Sequence, residues 1–138
     1  MAKSEKQKLK LLYIIQCLME KTDEEHAVTT QEIIDYLALQ GITAERKSIY
    51  TDIDLLTDFG MDIIKKPGRS GGYTLASRQF ELAELKLLVD AVQSSKFITT
   101  KKSRELIGKL ETLCSKYEAT QLHRQVVVTN RNKAINEN

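Results

Sequence analysis

One segment carries most of the information about the fold: residues 43–75, TAERKSIYTDIDLLTDFGMDIIKKPGRSGGYTL. Its first half places Ile49, Ile53 and Leu56 at i, i+4 and i+7, the spacing of one buried helix face. Thr43 is a candidate N-cap for this helix. After Gly60, two short runs flank a turn rich in Pro and Gly, the pattern of a β-hairpin. The segment therefore predicts a helix followed by a small hairpin.

Two further helices are predicted upstream of this segment. Apolar residues recur at helical spacing over residues 5–21, which predicts a first helix. Thr29 and Glu32 have the spacing of a capping box, in which a hydroxyl and a carboxylate satisfy first-turn amides, so a second helix should begin there. Gly41 suits the left-handed residue that ends it. Helix, helix, tight turn, helix and hairpin is the order of a winged helix-turn-helix domain.

The rest of the chain is predicted to be helical and then polar. Leucine-rich patterns over residues 82–92 and 106–114 predict a helical hairpin, and from residue 118 we expect a polar tail. The predicted fold class is mainly α with a small β-hairpin, a winged helix-turn-helix followed by a helical hairpin. The predicted boundaries are 1–76 for the DNA-binding domain, 77–117 for a linker or dimerisation lobe, and 118–138 for the tail.

Composition argues against several classes of protein. With 138 residues, 41% of them hydrophobic, and 21 Lys and Arg against 19 Asp and Glu, the chain should form a folded core. It has no stretch near the ~20 apolar residues of a membrane span, and its start lacks a signal-peptide pattern. We expect a cytoplasmic protein without membrane contact. Cys17 and Cys114 lie far apart in apolar patterns, and His26 and His123 lack sequence neighbours that suggest catalysis, so we expect no enzyme activity, no metal and no cofactor.

The order of elements predicts double-stranded DNA as a partner, with the third helix in the major groove and the hairpin on the backbone or minor groove. Donors and short hydroxyls on the third helix suit base edges, and we expect base contacts from Arg46, Lys47, Ser48 and Thr51. Asp52 should instead act as a cap or pair with a neighbouring basic side chain, because phosphates repel a carboxylate. Contacts with the DNA backbone are expected from the amides at the start of the second helix, from the wing and from residues next to them. The residues expected to make these contacts are Thr29, Thr30, Gln31, Tyr50, Lys65, Lys66, Arg69 and Ser70.

Two motifs also carry a family resemblance. Residues 48–53, SIYTDI, followed by Gly60, and residues 66–75, KPGRSGGYTL, resemble the N-terminal DNA-binding region of bacterial WYL-domain transcriptional regulators, which are related in fold to DeoR-type repressors. The resemblance extends over about residues 5–117, and the chain contains no Trp-Tyr-Leu motif. It implies a homodimeric, sequence-specific regulator whose small-molecule or nucleotide effector binds a missing C-terminal domain.

The distribution of charge keeps an alternative open. Residues 1–76 hold ten Lys and Arg against twelve Asp and Glu, a net charge of −2, whereas residues 77–138 hold eleven against seven, a net charge of +4. The predicted DNA-binding domain is therefore not basic overall. A winged-helix module that binds a protein partner and no nucleic acid is the alternative. For Lys101, Lys102 and Arg104 the sequence alone favours a solvated face over a second DNA site.

Overall fold

This computed structural model describes residues 3–68 and 71–137, with side chains for residues 5–68 and 71–126. The elements are, in chain order, α1 (Lys3–Lys21), α2 (Thr30–Leu39), α3 (Arg46–Phe59), β1 (Ile63–Lys66), β2 (Gly72–Leu75), α4 (Leu82–Ser94), α5 (Thr100–Glu111) and α6 (Lys116–Glu137). They form two compact units, Met1–Ser77 and Arg78–Asn138. Helices with one antiparallel hairpin confirm the predicted fold class.

The first unit is a three-helix core with a hairpin at its edge. Side chains from α1, α2 and α3 meet in it, and the largest fully buried ones are Ile14, Leu18, Ile33, Leu37 and Ile49. Burying that apolar surface is what holds the three helices together, because short isolated helices are marginal in water.

Both ends of α2 follow the sequence prediction, whereas the start of α3 departs from it. The Glu32 amide donates to Thr29 Oγ1 (3.1 Å), the Thr29 amide donates to the Glu32 carboxylate (3.2 Å), and Gly41 ends the helix at φ +77°. The predicted start of α3 at Thr43 is wrong, because the helix begins at Arg46 after the N-cap Glu45. Ile42 explains the delay: its side chain is drawn into the core, so the chain stays extended past it.

The hairpin is fastened to the helices by a third backbone segment. β1 and β2 pair antiparallel, with Ile63 opposite Leu75. Val28, between α1 and α2, bridges to Tyr73 of β2, with the Val28 amide donating to the Tyr73 carbonyl (3.0 Å) and the Tyr73 amide to the Val28 carbonyl (2.7 Å). Thr22 at the end of α1 is fully buried, and its hydroxyl accepts from the Leu75 amide (3.0 Å). The wing is therefore held at its base by hydrogen bonds to the α1–α2 connection.

The second unit is a bundle of three helices, where we expected two helices and a polar tail. Its core consists of Leu85, Val89, Ile107, Cys114, Leu122 and Val126. The last two residues belong to α6, which occupies the position of the expected tail. Ala119, Leu122 and Val126 are spaced by three and four, and this sparse apolar stripe is enough to pack the helix against α4 and α5. Among the described residues, none of the helices combines the length and the apolar character that a membrane crossing requires.

Candidate nucleic-acid interface

The outward face of α3 is divided into a cationic half and an acidic half. Burial of Ile49, Ile53 and Leu56 turns the opposite side of the helix to solvent. Lys47 and Thr51 lie on that side in the N-terminal half. Asp54 and Asp58 continue the same exposed stripe in the C-terminal half. Only the first two turns of α3 therefore offer an anion a favourable charge.

Arg46 connects the start of α3 to the first turn of α2. Its guanidinium donates to Gln31 Oε1 (3.3 Å), and Gln31 in turn donates to Asp35 (3.0 Å). All three residues are exposed. One predicted base contact and one predicted backbone contact are thus neighbours in the structure, near the N-termini of α2 and α3.

Tyr50 and Lys65 connect α3 to the wing. The Lys65 ammonium lies 5.9 Å from the centroid of the Tyr50 ring, within the range of a cation–π contact. Tyr50 is 43% exposed, so its ring packs against this lysine without being buried between helices. Arg46, Lys47, Tyr50 and Lys65 consequently form a continuous set of donors from the start of α3 to β1.

Further predicted contact residues make hydrogen bonds within the protein or are buried. The Ser48 hydroxyl accepts from Lys10 Nζ (2.9 Å) and donates to the Glu45 carbonyl (2.8 Å). Lys66 Nζ donates to the Glu24 carbonyl (3.1 Å). Thr29 caps α2 and Thr30 is buried. Arg69 and Ser70, which we predicted at the wing tip, lie outside the described residues. The hydroxyl of Thr51 donates to the Lys47 carbonyl (3.2 Å) and keeps its lone pairs open to solvent.

Sequence reasoning missed one residue that contacts α3 behind the site. Lys10 of α1 is buried, and its ammonium lies 2.7 Å from Asp52 Oδ2 as well as 2.9 Å from Ser48 Oγ. This confirms that Asp52 pairs with a basic side chain. The sequence does indicate that Lys10 is buried, because it precedes Ile14 by four residues and so lies on the buried face of α1.

Neither cysteine of the chain is poised for chemistry. Cys17 is completely buried, and burial raises the pKa of its thiol to about 11. Cys114 is also buried. His26 Nδ1 lies 2.8 Å from Asp23 Oδ1, an oxygen that also accepts from the Glu25 amide and so fixes the turn after α1. Over the described ranges, no cluster of three or more His, Cys, Asp and Glu side chains could hold a metal ion.

Comparison with known families finds a match for the segment that contains most of these residues. Residues 12–68 match the family model described as the D3 domain of FokI, a winged-helix-like DNA-binding domain. The matched range begins within α1 and continues past β1, so it includes all of α2 and α3. No curated protein and no solved structure matches the chain. Over this range the chain is similar to a winged-helix-like DNA-binding domain, and its order of helices and hairpin agrees with that similarity.

Proposed function

We propose that this protein is a sequence-specific DNA-binding regulator of transcription, in which the first two turns of α3 read the major groove. The observation that carries the proposal is the exposure of Lys47 and Thr51, with Arg46 beside them, on the outward face of α3. This helix lies within the segment that matches a DNA-binding family. The resemblance to WYL-domain regulators supports a regulatory role.

The chemistry of these residues suits two kinds of contact. Arg46 and Lys47 are donors that pair with the acceptor edge of guanine, and Thr51 can contact several base edges. In helix-turn-helix proteins the N-terminal residues of the recognition helix are those that touch bases. The one acid in that half of α3, Asp52, is turned inward and paired with Lys10. Tyr50 on α3, with Gln31 and Lys65 beside the helix, suits phosphate contacts, which fix register without reading sequence. We propose the same role for Arg69 and Ser70.

Charge sets the expected strength of binding. Since residues 1–76 carry a net charge of −2, non-specific attraction to DNA from this domain should be weak. We propose that the protein binds as a homodimer, which doubles the number of well-placed cations, and that it acts by binding and not by catalysis. A dimer predicts two half-sites with centres about 10 bp apart, or a multiple of that distance.

Selection from a random duplex pool tests this proposal. We expect the wild-type chain to enrich one paired sequence. Lys47→Ala should relax preference at one position, by about 1–3 kcal/mol of discrimination. Lys65→Ala should weaken all duplexes equally and reduce the magnitude of the salt slope by about one. Lys86→Ala, an exposed lysine of α4, is the matched control. Enrichment of no sequence, or unchanged preference in Lys47→Ala, would contradict the proposal.

A protein-binding module is the second candidate, and one observation favours it. Phe59 at the end of α3 is 83% exposed, and Leu55 and Ile64 are each about half exposed. Exposed apolar side chains, here two on α3 and one on β1, can mark a protein interface. This candidate predicts that no duplex from the pool is retained even at low salt.

A further inference from the structure

Helix α5 has one buried face and one strongly cationic face. Ser103 and Ile107 point into the bundle. The rest of the helix carries two acids, the exposed Glu105 and the half-buried Glu111. It also carries four exposed cations: Lys101, Lys102, Arg104 and Lys109. Lys101, Glu105 and Lys109 are spaced by four and therefore share a face. We call the four cations the α5 basic face.

The charges of the α5 basic face are largely uncompensated. Lys102 Nζ lies 3.5 Å from Glu105, and both side chains are about half exposed, so solvent screens this pair. Lys101, Arg104 and Lys109 form no ion pair with any residue of the described part of the chain. The other acids of the unit have separate roles: Glu81 and Glu84 cap α4, Asp90 accepts from Gln125, and Glu118 lies in the first turn of α6.

Helix stability does not explain why these cations are where they are. Four helices carry Glu in their first turn, which suits the helix dipole: Glu5, Glu32, Glu84 and Glu118. α5 instead begins with Lys101 and Lys102, a placement that opposes the dipole. α3, the proposed recognition helix, is the other helix with no first-turn acid, and it begins with Arg46 and Lys47. An anionic partner would compensate the charge at both places.

Charge complementarity points to DNA as that partner. Binding to duplex DNA depends on how many phosphates the protein neutralises. Residues 1–76 lack a surplus of cations, whereas residues 78–126 hold nine Lys and Arg against six Asp and Glu. We infer that the α5 basic face is a second DNA-contacting surface, which binds backbone phosphates without reading sequence. The inference rests on the proposed function, because it assumes that the protein engages a duplex.

A paired substitution in the full chain tests the inference. Lys101→Gln with Lys109→Gln removes two cations from α5, and Lys86→Gln with Lys116→Gln removes two exposed cations from α4 and α6 as the matched control. Glutamine is a good helix former, so both variants should fold. Each would be titrated with the selected duplex and with a random duplex, both long enough to extend past the selected site, at several salt concentrations.

We expect the α5 variant to lose affinity for both duplexes by the same factor, between about ten- and a hundredfold near 0.1 M salt, with a salt slope smaller in magnitude by about two. The control should bind like wild type. An unchanged slope in the α5 variant, or an equal loss in the control, would overturn the inference. If that happens while wild type still selects its duplex, this inference fails and the proposed function stands. If wild type binds no duplex, the proposed function fails with it.

Anionic lipid is the other polyanion that such a face could meet, since Phe97 just before α5 is 99% exposed. Sedimentation with vesicles of phosphatidylcholine and phosphatidylserine distinguishes the two. The inference would be overturned if wild type binds vesicles and the variant Lys101→Gln with Lys109→Gln does not, while the variant's affinity for the duplex is unchanged. No vesicle binding by wild type, together with the expected duplex result, would support it.

Discussion

At the scale of single residues, two glycines show how differently one residue type can act in this fold. Gly72 begins β2 at φ +126°, and a Cβ placed there would lie 2.2 Å from the Val28 carbonyl oxygen. Gly108 lies on the exposed side of α5, and a Cβ there would meet nothing within 4 Å. The first position needs glycine for both backbone conformation and close approach, whereas the second needs neither.

Alanine at each position should therefore have opposite effects. Gly72→Ala should lower the free energy of unfolding by at least about 2 kcal/mol, because it strains the backbone and pushes Val28 away from β2. Gly108→Ala should raise it by about 0.5–1 kcal/mol, because alanine favours the helix. Thermal unfolding followed by circular dichroism measures both. If both substitutions change the free energy of unfolding equally, the bridge between Val28 and Tyr73 is not what anchors the wing.

Single residues also show what sequence can predict of this site. Thr29, Glu32 and Gly41 were predictable because a cap depends on neighbours within one turn. The start of α3 was not, because the burial of Ile42 is a tertiary effect that outweighs the local cap at Thr43. Exposure of Lys47 followed from helical spacing alone. The hydrogen bond between Ser48 and Lys10 could not be predicted from helical spacing, since the two residues are 38 positions apart in the sequence.

At the scale of elements, α1 and α3 are joined by a buried ion pair as well as by apolar packing. The ammonium of Lys10 contacts Asp52 and Ser48, with side-chain exposures of 9% for Lys10 and 14% for Asp52. A buried charge left without its partner is costly, whereas removing both partners is often nearly neutral. The pair ties α3 to α1, and we expect it to reinforce the rotation of α3 that burial of Ile49, Ile53 and Leu56 sets.

Removing the cation alone should be far worse than removing the pair. Lys10→Met should destabilise the protein by ~3 kcal/mol, because it leaves the Asp52 carboxylate buried and unpaired. Adding Asp52→Leu should recover most of that loss. Urea unfolding of the two single variants and the double variant measures the coupling. If the double variant is as unstable as the sum of the singles, the two residues act independently and the pair does not orient α3.

Helix α6 shows where an element escapes prediction. Its described apolar contacts come from Ala119, Leu122 and Val126, separated by polar residues that hide the period. An isolated segment of this composition would not be expected to hold a helix, and packing against α4 and α5 stabilises it. The hairpin was easier to predict, because Pro67, Gly68, Gly71 and Gly72 mark its turn directly.

At the scale of the whole molecule, charge is distributed unevenly between the two units. The winged-helix unit is slightly acidic, with its cations spread over α1, the start of α3 and the hairpin, and the helical unit carries the surplus of positive charge. With the proposed function and the DNA-contacting role inferred for the α5 basic face, this distribution predicts two distinct contributions to DNA binding. The first unit should supply most of the sequence preference, and the second should supply most of the salt-dependent affinity.

The most direct test of the central claim is an NMR titration of the ¹⁵N-labelled chain with its selected duplex. The account predicts that amide signals of residues 46–51 and Lys65 shift together and saturate at the binding stoichiometry, while those of residues 55–59 move little. Shifts confined to residues 55–64, around Phe59 and Ile64, or no shifts at any duplex concentration, would show that the N-terminal half of α3 does not touch DNA and would contradict the account.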